Sequence, residues 1–117
     1  MAPPRSSPDT GLALTESTFC ILAALAEPRH GYAIMQWVAE ATGSRVKLGP
    51  GTLYGALTTL QEKGLIALQG EREVGAERRK VYALTGGGRT CLRAEVDRLE
   101  AMTIMGRGAL EQTGGAQ

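Results

Sequence analysis

Apolar residues return at helical spacing in four stretches of this chain, and between the third and fourth stretches they shift to short strand-like runs. Phe19, Leu22, Ala23 and Ala26 form one stripe, widened by Ile21 and Leu25. Thr15 and Glu16 supply a cap and an acidic first turn, and Leu14 stands where it could staple onto Phe19. A first helix to about Ala26 is expected, broken by Glu27-Pro28-Arg29-His30-Gly31. Ile34, Trp37, Val38 and Ala41 mark a second helix that Gly43 stops. Ser44 to Leu48 is too short for a helix and reads as a brief strand, with Val46 and Leu48 on one side. Pro50 suits the first turn of a third helix, in which Leu53, Leu57 and Leu60 share a face before Gly64 closes it.

Leu65 to Gln69 and Lys80 to Leu84 have strand character, and polar Gly70 to Arg79 between them predicts a hairpin with a long tip. Thr85 can cap a last helix carrying Leu92, Val96, Leu99 and Met102 at helical spacing. Gly86, Gly87 and Gly88 weaken its start by roughly 0.8 to 1 kcal/mol each, which pushes the expected start toward Arg89. Residues 1–13, with Pro3, Pro4 and Pro8, read as a disordered arm without the apolar run of a secretory signal. Residues 106–117, glycine-rich and without an apolar face, read as a disordered tail.

The expected fold is therefore mainly α (α+β): a winged helix-turn-helix over residues 14–85 with a two-stranded β-wing, followed by a C-terminal dimerisation helix over 86–105. At 117 residues there is room for one domain, and a domain this small gains from a partner subunit. No stretch approaches the roughly 20 apolar residues that cross a membrane. Cys20 and Cys91 have neither disulfide-framework nor metal-ligand spacing, so they read as packing residues in a reducing cytoplasm, with no metal and no cofactor. The one histidine, His30, has no partner set for acid–base or nucleophilic work, so no enzyme is expected.

With the leucines turned inward, the third helix presents Pro50, Gly51, Thr52, Gly55, Thr58 and Thr59, with Tyr54 on the flank. Small residues allow close backbone approach, and hydroxyls can meet phosphates or base edges in a major groove. Lys47 precedes the helix start and Lys63 lies at its end, either able to reach flanking phosphates. On the hairpin, Arg78, Arg79 and Lys80 add positive charge, which Glu71, Glu73 and Glu77 oppose. The net charge of +1 and this thin basic surplus leave two functions open: duplex DNA binding, or a winged-helix module that binds another protein.

A resemblance narrows the choice. His30-Gly31-Tyr32, Leu48-Gly49-Pro50-Gly51-Thr52-Leu53-Tyr54-Gly55-Ala56-Leu57, Glu62-Lys63-Gly64-Leu65-Ile66 and Arg79-Lys80-Val81-Tyr82-Ala83-Leu84-Thr85 resemble the PadR family of regulators in order and spacing, from about Leu14 to Leu99. The resemblance implies a sequence-specific transcriptional regulator, a repressor relieved by a small-molecule effector. It also implies that the third helix reads an operator, palindromic because the protein is a homodimer. It carries DNA contact to Pro50, Gly51, Thr52 and Tyr54 and to the basic wing Arg78, Arg79 and Lys80. His30, in a turn at a helix start, reads first as a packing or capping residue, with contact to phosphate beside Tyr32 as the alternative. Dimerisation falls to Leu92, Val96, Leu99 and Met102, with Met105 at the end of the stripe. Trp37 and Met35, with Met102 and Met105, would line a pocket for a small apolar or aromatic effector, although core packing explains them as well. Gly55 departs from a proline common in the family, and Gly86-Gly87-Gly88 from a stretch that often carries an acid. The chain looks like the short subfamily, with a single C-terminal helix.

Overall fold

The hydroxyl of Thr15 accepts the Thr18 amide at 3.1 Å and so caps α1, Glu16–Ala24. A two-residue strand β1, Arg29–His30, leads into α2, Gly31–Ala41, and α3, Pro50–Glu62, follows. Strands β2, Ile66–Val74, and β3, Glu77–Leu84, form a hairpin, and α4, Gly86–Gly115, ends the structure. The coordinates are a computed structural model that describes residues 13–115, so the proposed N-terminal arm lies outside the described residues but for Ala13.

The core is where the three helices meet the root of the hairpin. Ile21 and Leu22 of α1 with Leu25 at its C-cap, Ile34 and Val38 of α2, and Leu53 and Leu57 of α3 are almost fully buried, with Leu60, Leu65, Ile66, Tyr82 and Cys91 around them. The buried side of α1 is thus turned from the expected stripe: Ile21, Leu22 and Leu25 form its centre, while Phe19 is half-buried and Ala26 exposed. Cys20 and Cys91 are buried and in no disulfide.

Three expectations about the β structure change. Ser44 to Leu48 is not a strand. Gly43 and Ser44 take φ of 60° and 65°, and the Thr42 hydroxyl donates to Val38 O at 2.8 Å while accepting the Val46 amide at 3.1 Å. These turn bonds use the polar groups that a strand would need for pairing. The third strand is instead β1, which pairs antiparallel with β3 (Arg29 with Tyr82, His30 with Val81) and gives the order β1-β3-β2. Finally, the long tip expected over Gly70 to Arg79 is mostly strand, closed by Gly75 and Ala76, with Gly75 at φ 64°. Glu71 opposite Lys80 and Glu73 opposite Arg78 place unlike charges across the ladder, which favours pairing out to the turn. A bulge between Leu68 and Gly70 resets the register.

The last helix also differs at both ends. Thr85 caps it, accepting the Gly88 amide at 3.0 Å and donating to Gly64 O at 2.6 Å, so α4 starts at Gly86 rather than near Arg89. Glycine at 88 is required by space, because a Cβ there would lie 1.9 Å from Leu65 O. At the other end α4 runs on to Gly115, through most of the stretch expected to be disordered. Buried Glu95 anchors this helix to the start of α1: its carboxylate takes the Arg98 guanidinium at 2.6 Å and the Leu14 amide at 3.3 Å. Those bonds, the Arg98 contact foremost, hold its carboxyl below the ordinary carboxylate range.

Candidate nucleic-acid interface

Helix α3 is a rod about 20 Å long, fixed along one side by Leu53, Leu57 and Leu60. On the other side Pro50, Gly51, Thr52, Gly55, Thr58 and Thr59 are all exposed, and Tyr54 on the flank keeps 46% of its surface. Thr58 donates its hydroxyl proton to Tyr54 O at 3.0 Å, while Thr52 and Thr59 have no such bond among the described residues. Exposed Lys47 stands before the start of the rod and exposed Lys63 caps its far end.

The basic residues of the hairpin are not at its tip. Arg78, Arg79 and Lys80 lie along β3, and strand alternation divides them between two faces. Arg78 is bound to Glu71 at 2.9 Å and Glu73 at 3.3 Å. Arg79 is half-buried, bound to Glu77 at 3.1 Å, with its guanidinium 5.9 Å from the centre of the Tyr32 ring. Its Nε is buried with no hydrogen-bond partner among the described residues. Lys80 is exposed and in no ion pair among the described residues.

His30, which by its place in a turn at a helix start reads first as a packing or capping residue, is buried and caps α2, its Nδ1 accepting the Ala33 amide at 3.2 Å. Burial first, then the charges of Arg79 and Arg72, push its imidazole below the ordinary value. Tyr32 remains half exposed beneath Arg79. Met35 and Trp37 are partly buried against the core, with the Arg29 guanidinium 5.3 Å from the Trp37 ring centre. Leu92 also packs on its own core, whereas Val96, Leu99 and Met102 are exposed.

The structure gives two residues of the site a role that the sequence did not supply. Gly31 is one, because a Cβ there would lie 2.3 Å from the Tyr54 hydroxyl oxygen; its missing side chain lets the phenol reach from α3 to α2. The motif His30-Gly31-Tyr32 marked the position without giving that reason. Arg72 is the other, a cation expected on the hairpin tip with Arg78, Arg79 and Lys80; it is exposed and directly opposite Arg79 on the ladder, which places two cations side by side. Only the register, reset by the bulge, reveals that pair. Gly31, Tyr54, Tyr82 and the stretch of β3 from Glu77 to Lys80 enclose a cleft of about 250 Å³ between α2, α3 and the wing.

The fold is similar to that of solved proteins. A PadR family transcriptional regulator from Eggerthella lenta is similar at a TM-score of 0.64 and 30% identity, over 83% of this chain and 82% of that one. A second similar structure is Bacillus subtilis PadR in complex with operator DNA, at a TM-score of 0.59 and 25% identity, over 68% of this chain and 45% of that one. An uncharacterized 37.1 kDa protein in transposon TN4556 of Streptomyces fradiae is 40% identical over 81 residues, 68% of this chain. The matched region is 22% of that protein, so the chain spans about a fifth of its length. Residues 21–94, from the middle of α1 to the first turns of α4, match the transcriptional regulator PadR-like family, and the chain belongs to that family.

Proposed function

We propose that this protein is a sequence-specific DNA-binding transcriptional regulator that works as a homodimer. The observation that carries the reading is α3: leucines hold one side, and the other is an exposed surface of Gly51, Thr52, Gly55, Thr58 and Thr59 flanked by Tyr54. A helix supported in this way fits a major groove ~12 Å wide, where threonine hydroxyls and close backbone approach meet base edges. The wing and Lys47 then lie toward the flanking phosphates. The complex of Bacillus subtilis PadR with operator DNA supports duplex DNA as the partner.

Dimerisation is assigned to α4, where Val96, Leu99 and Met102 stay 43, 39 and 50% exposed. Burying such a stripe against a second copy removes apolar surface from water. Two-fold symmetry then calls for a palindromic operator with half-sites about 34 Å apart, one turn of duplex. Repression, and its relief by a small apolar or aromatic effector near Trp37 and Met35, completes the proposal on the strength of the family resemblance.

The test is fluorescence anisotropy with duplexes tiled across the promoter next to the protein's own gene, at several salt concentrations. One tile should bind far more tightly than random duplex, and Thr52→Ala and Thr59→Ala should weaken that tile while leaving random duplex almost unaffected. Absence of salt-dependent binding to any duplex would reject DNA as the partner and favour a protein-binding module.

A further inference from the structure

We propose that Arg79 is a positioning residue: stacked on Tyr32 of α2, it braces the wing against the helices and so sets where the wing meets duplex DNA. The inference rests on the DNA-binding reading, and it gives Arg79 a part other than the direct contact that the family resemblance implies.

The hairpin needs a brace because, among the described residues, its backbone is tied to the helical part at the root alone. Strand β1 pairs with β3 through two residues, Arg29 with Tyr82 and His30 with Val81. Beyond them β2 and β3 pair only with each other, out to Val74 opposite Glu77. At about 3.3 Å per residue, the steps from Val81 to Glu77 carry the hairpin roughly 13 Å past the last β1 pair. A cleft of about 250 Å³ separates this outer length from α2 and α3, so close packing does not fix its angle. Glu77, Arg78 and Lys80 are exposed there, and Arg79 is the one residue of that length of β3 that is partly buried.

The register explains why Arg79 turns inward. Residues two apart on a strand share a face, so Arg79 and Val81 point the same way, with Arg72 across from Arg79 and His30 across from Val81. Arg72 and Arg79 are like charges directly opposite, which a ladder disfavours. The Arg79 guanidinium is drawn off that pair. Its central carbon lies 5.9 Å from the middle of the Tyr32 ring, within reach of cation–π attraction, and one Nη donates to Glu77 at 3.1 Å. Its Nε is buried with no hydrogen-bond partner among the described residues, so this edge of the group cannot offer a phosphate the two-pronged grip for which arginine is suited. Behind it, burial first and then the charges of Arg79 and Arg72 lower the proton affinity of His30, which leaves Arg79 beside a neutral imidazole rather than a third cation. Tyr32 stands in the first turn of α2, whose start His30 caps, so the ring is a fixed platform. A flat guanidinium can stack there and still reach Glu77, which a lysine ammonium cannot do.

Keeping the charge separates bracing from contact. In Arg79→Lys a phosphate contact would survive, but the stack on Tyr32 would not. Fluorescence anisotropy with the tightest-binding promoter duplex should show affinity about five- to tenfold lower in Arg79→Lys, with an unchanged slope of log affinity against log salt. Tyr32→Phe, which keeps the ring, should bind as the unaltered protein does, and Tyr32→Leu should lose about as much as Arg79→Lys. Because these two changes break one joint, the double variant Arg79→Lys/Tyr32→Leu should lose less than the product of the single losses. Both side chains are partly exposed, so the variants keep the fold, which circular dichroism checks. Undiminished affinity in Arg79→Lys, or losses that multiply, would overturn the brace while leaving DNA binding intact. The joint also has a readout that needs no DNA: amide relaxation by NMR should show more fast motion at residues 71–80 in Arg79→Lys and Tyr32→Leu, with α3 unchanged. If the unaltered protein binds no duplex, the DNA reading fails and relaxation alone decides, a wing equally ordered in all three proteins overturning the brace.

Discussion

Alanine normally stabilises a helix relative to glycine, by about 0.8 to 1 kcal/mol at an interior position, yet Gly88→Ala should destabilise this protein. The first methyl carbon would lie 1.9 Å from Leu65 O, 2.9 Å from Leu65 C and 3.0 Å from Leu84 Cδ2. Restoring an ordinary carbon–oxygen separation of about 3.3 Å requires the helix and the Leu65 carbonyl to part by ~1.4 Å. That carbonyl accepts the Thr85 amide at 3.1 Å, so the movement also strains the cap of α4. Overpacking of this type costs about 1 to 3 kcal/mol, the strained hydrogen bond adds about 1 kcal/mol, and helix propensity returns about 1 kcal/mol. The net is a loss of about 1 to 3 kcal/mol, a fall in Tm of roughly 5 to 15 °C. Gly87→Ala is the control, because its methyl carbon would meet Gly64 O at an ordinary 3.6 Å; it should be neutral or stabilising by up to about 1 kcal/mol. Urea unfolding followed by circular dichroism at one protein concentration measures both. A Gly88→Ala protein as stable as the parent would refute the close approach of α4 to the chain after α3.

Leu92 and Leu99 should separate folding from assembly: Leu99→Glu should give a folded monomer by light scattering, whereas Leu92→Ala, which touches the core, should lower stability by about 2 to 5 kcal/mol. His30 should make stability sensitive to mild acid. Its folded-state proton affinity is depressed, so its contribution is complete above the unfolded value near 6.5 and drains away as pH falls below it. The urea midpoint should drop between about pH 7 and pH 5, and His30→Asn, which can still cap α2, should flatten that limb. Glu95 follows the same sign at lower pH, since Arg98 depresses its carboxyl. Its stabilisation holds above the ordinary carboxylate range and is lost below it, and Glu95→Gln should remove that part of the acid limb.

The helices were legible because their information is local. Leu53, Leu57 and Leu60 mark the inner face of α3 within three turns of chain, and Pro50 and Gly64 mark its ends. The exposed side of the candidate site followed directly, since outward residues are the complement of inward ones. What the pattern missed depends on partners distant in sequence. A two-residue strand such as Arg29–His30 has no periodicity, and it exists only because β3 offers its edge. Gly31 and Gly88 look like helix-weakening residues until Tyr54 and Leu65 are placed against them. Arg78 and Arg79 read as part of a long polar tip because the pairing of β3 with Glu71 and Glu73 cannot be seen before the register is known.

At 30 residues α4 is about 45 Å long, and within the chain it meets α1 and β3 along its first part. Past Arg98 its residues are exposed up to Met105, and Gly106 and Gly108 each cost about 1 kcal/mol of helix propensity. A segment of that length with such residues does not hold a helix in water by propensity alone, which is why the sequence reads as a tail. Its helicity is consistent with one source of support, a second copy covering the stripe. Val96, Leu99, Thr103 and Gly106 are spaced alternately three and four apart, the spacing of a paired helical seam, and the small Thr103 and Gly106 permit close approach. Amide exchange separates the two ideas. In the dimer, amides from 103 to 110 should be protected, and in the Leu99→Glu monomer they should exchange at least about tenfold faster while those of α3 change little. Equal protection in monomer and dimer would mean that α4 sustains itself, and its exposed stripe would no longer argue for a partner.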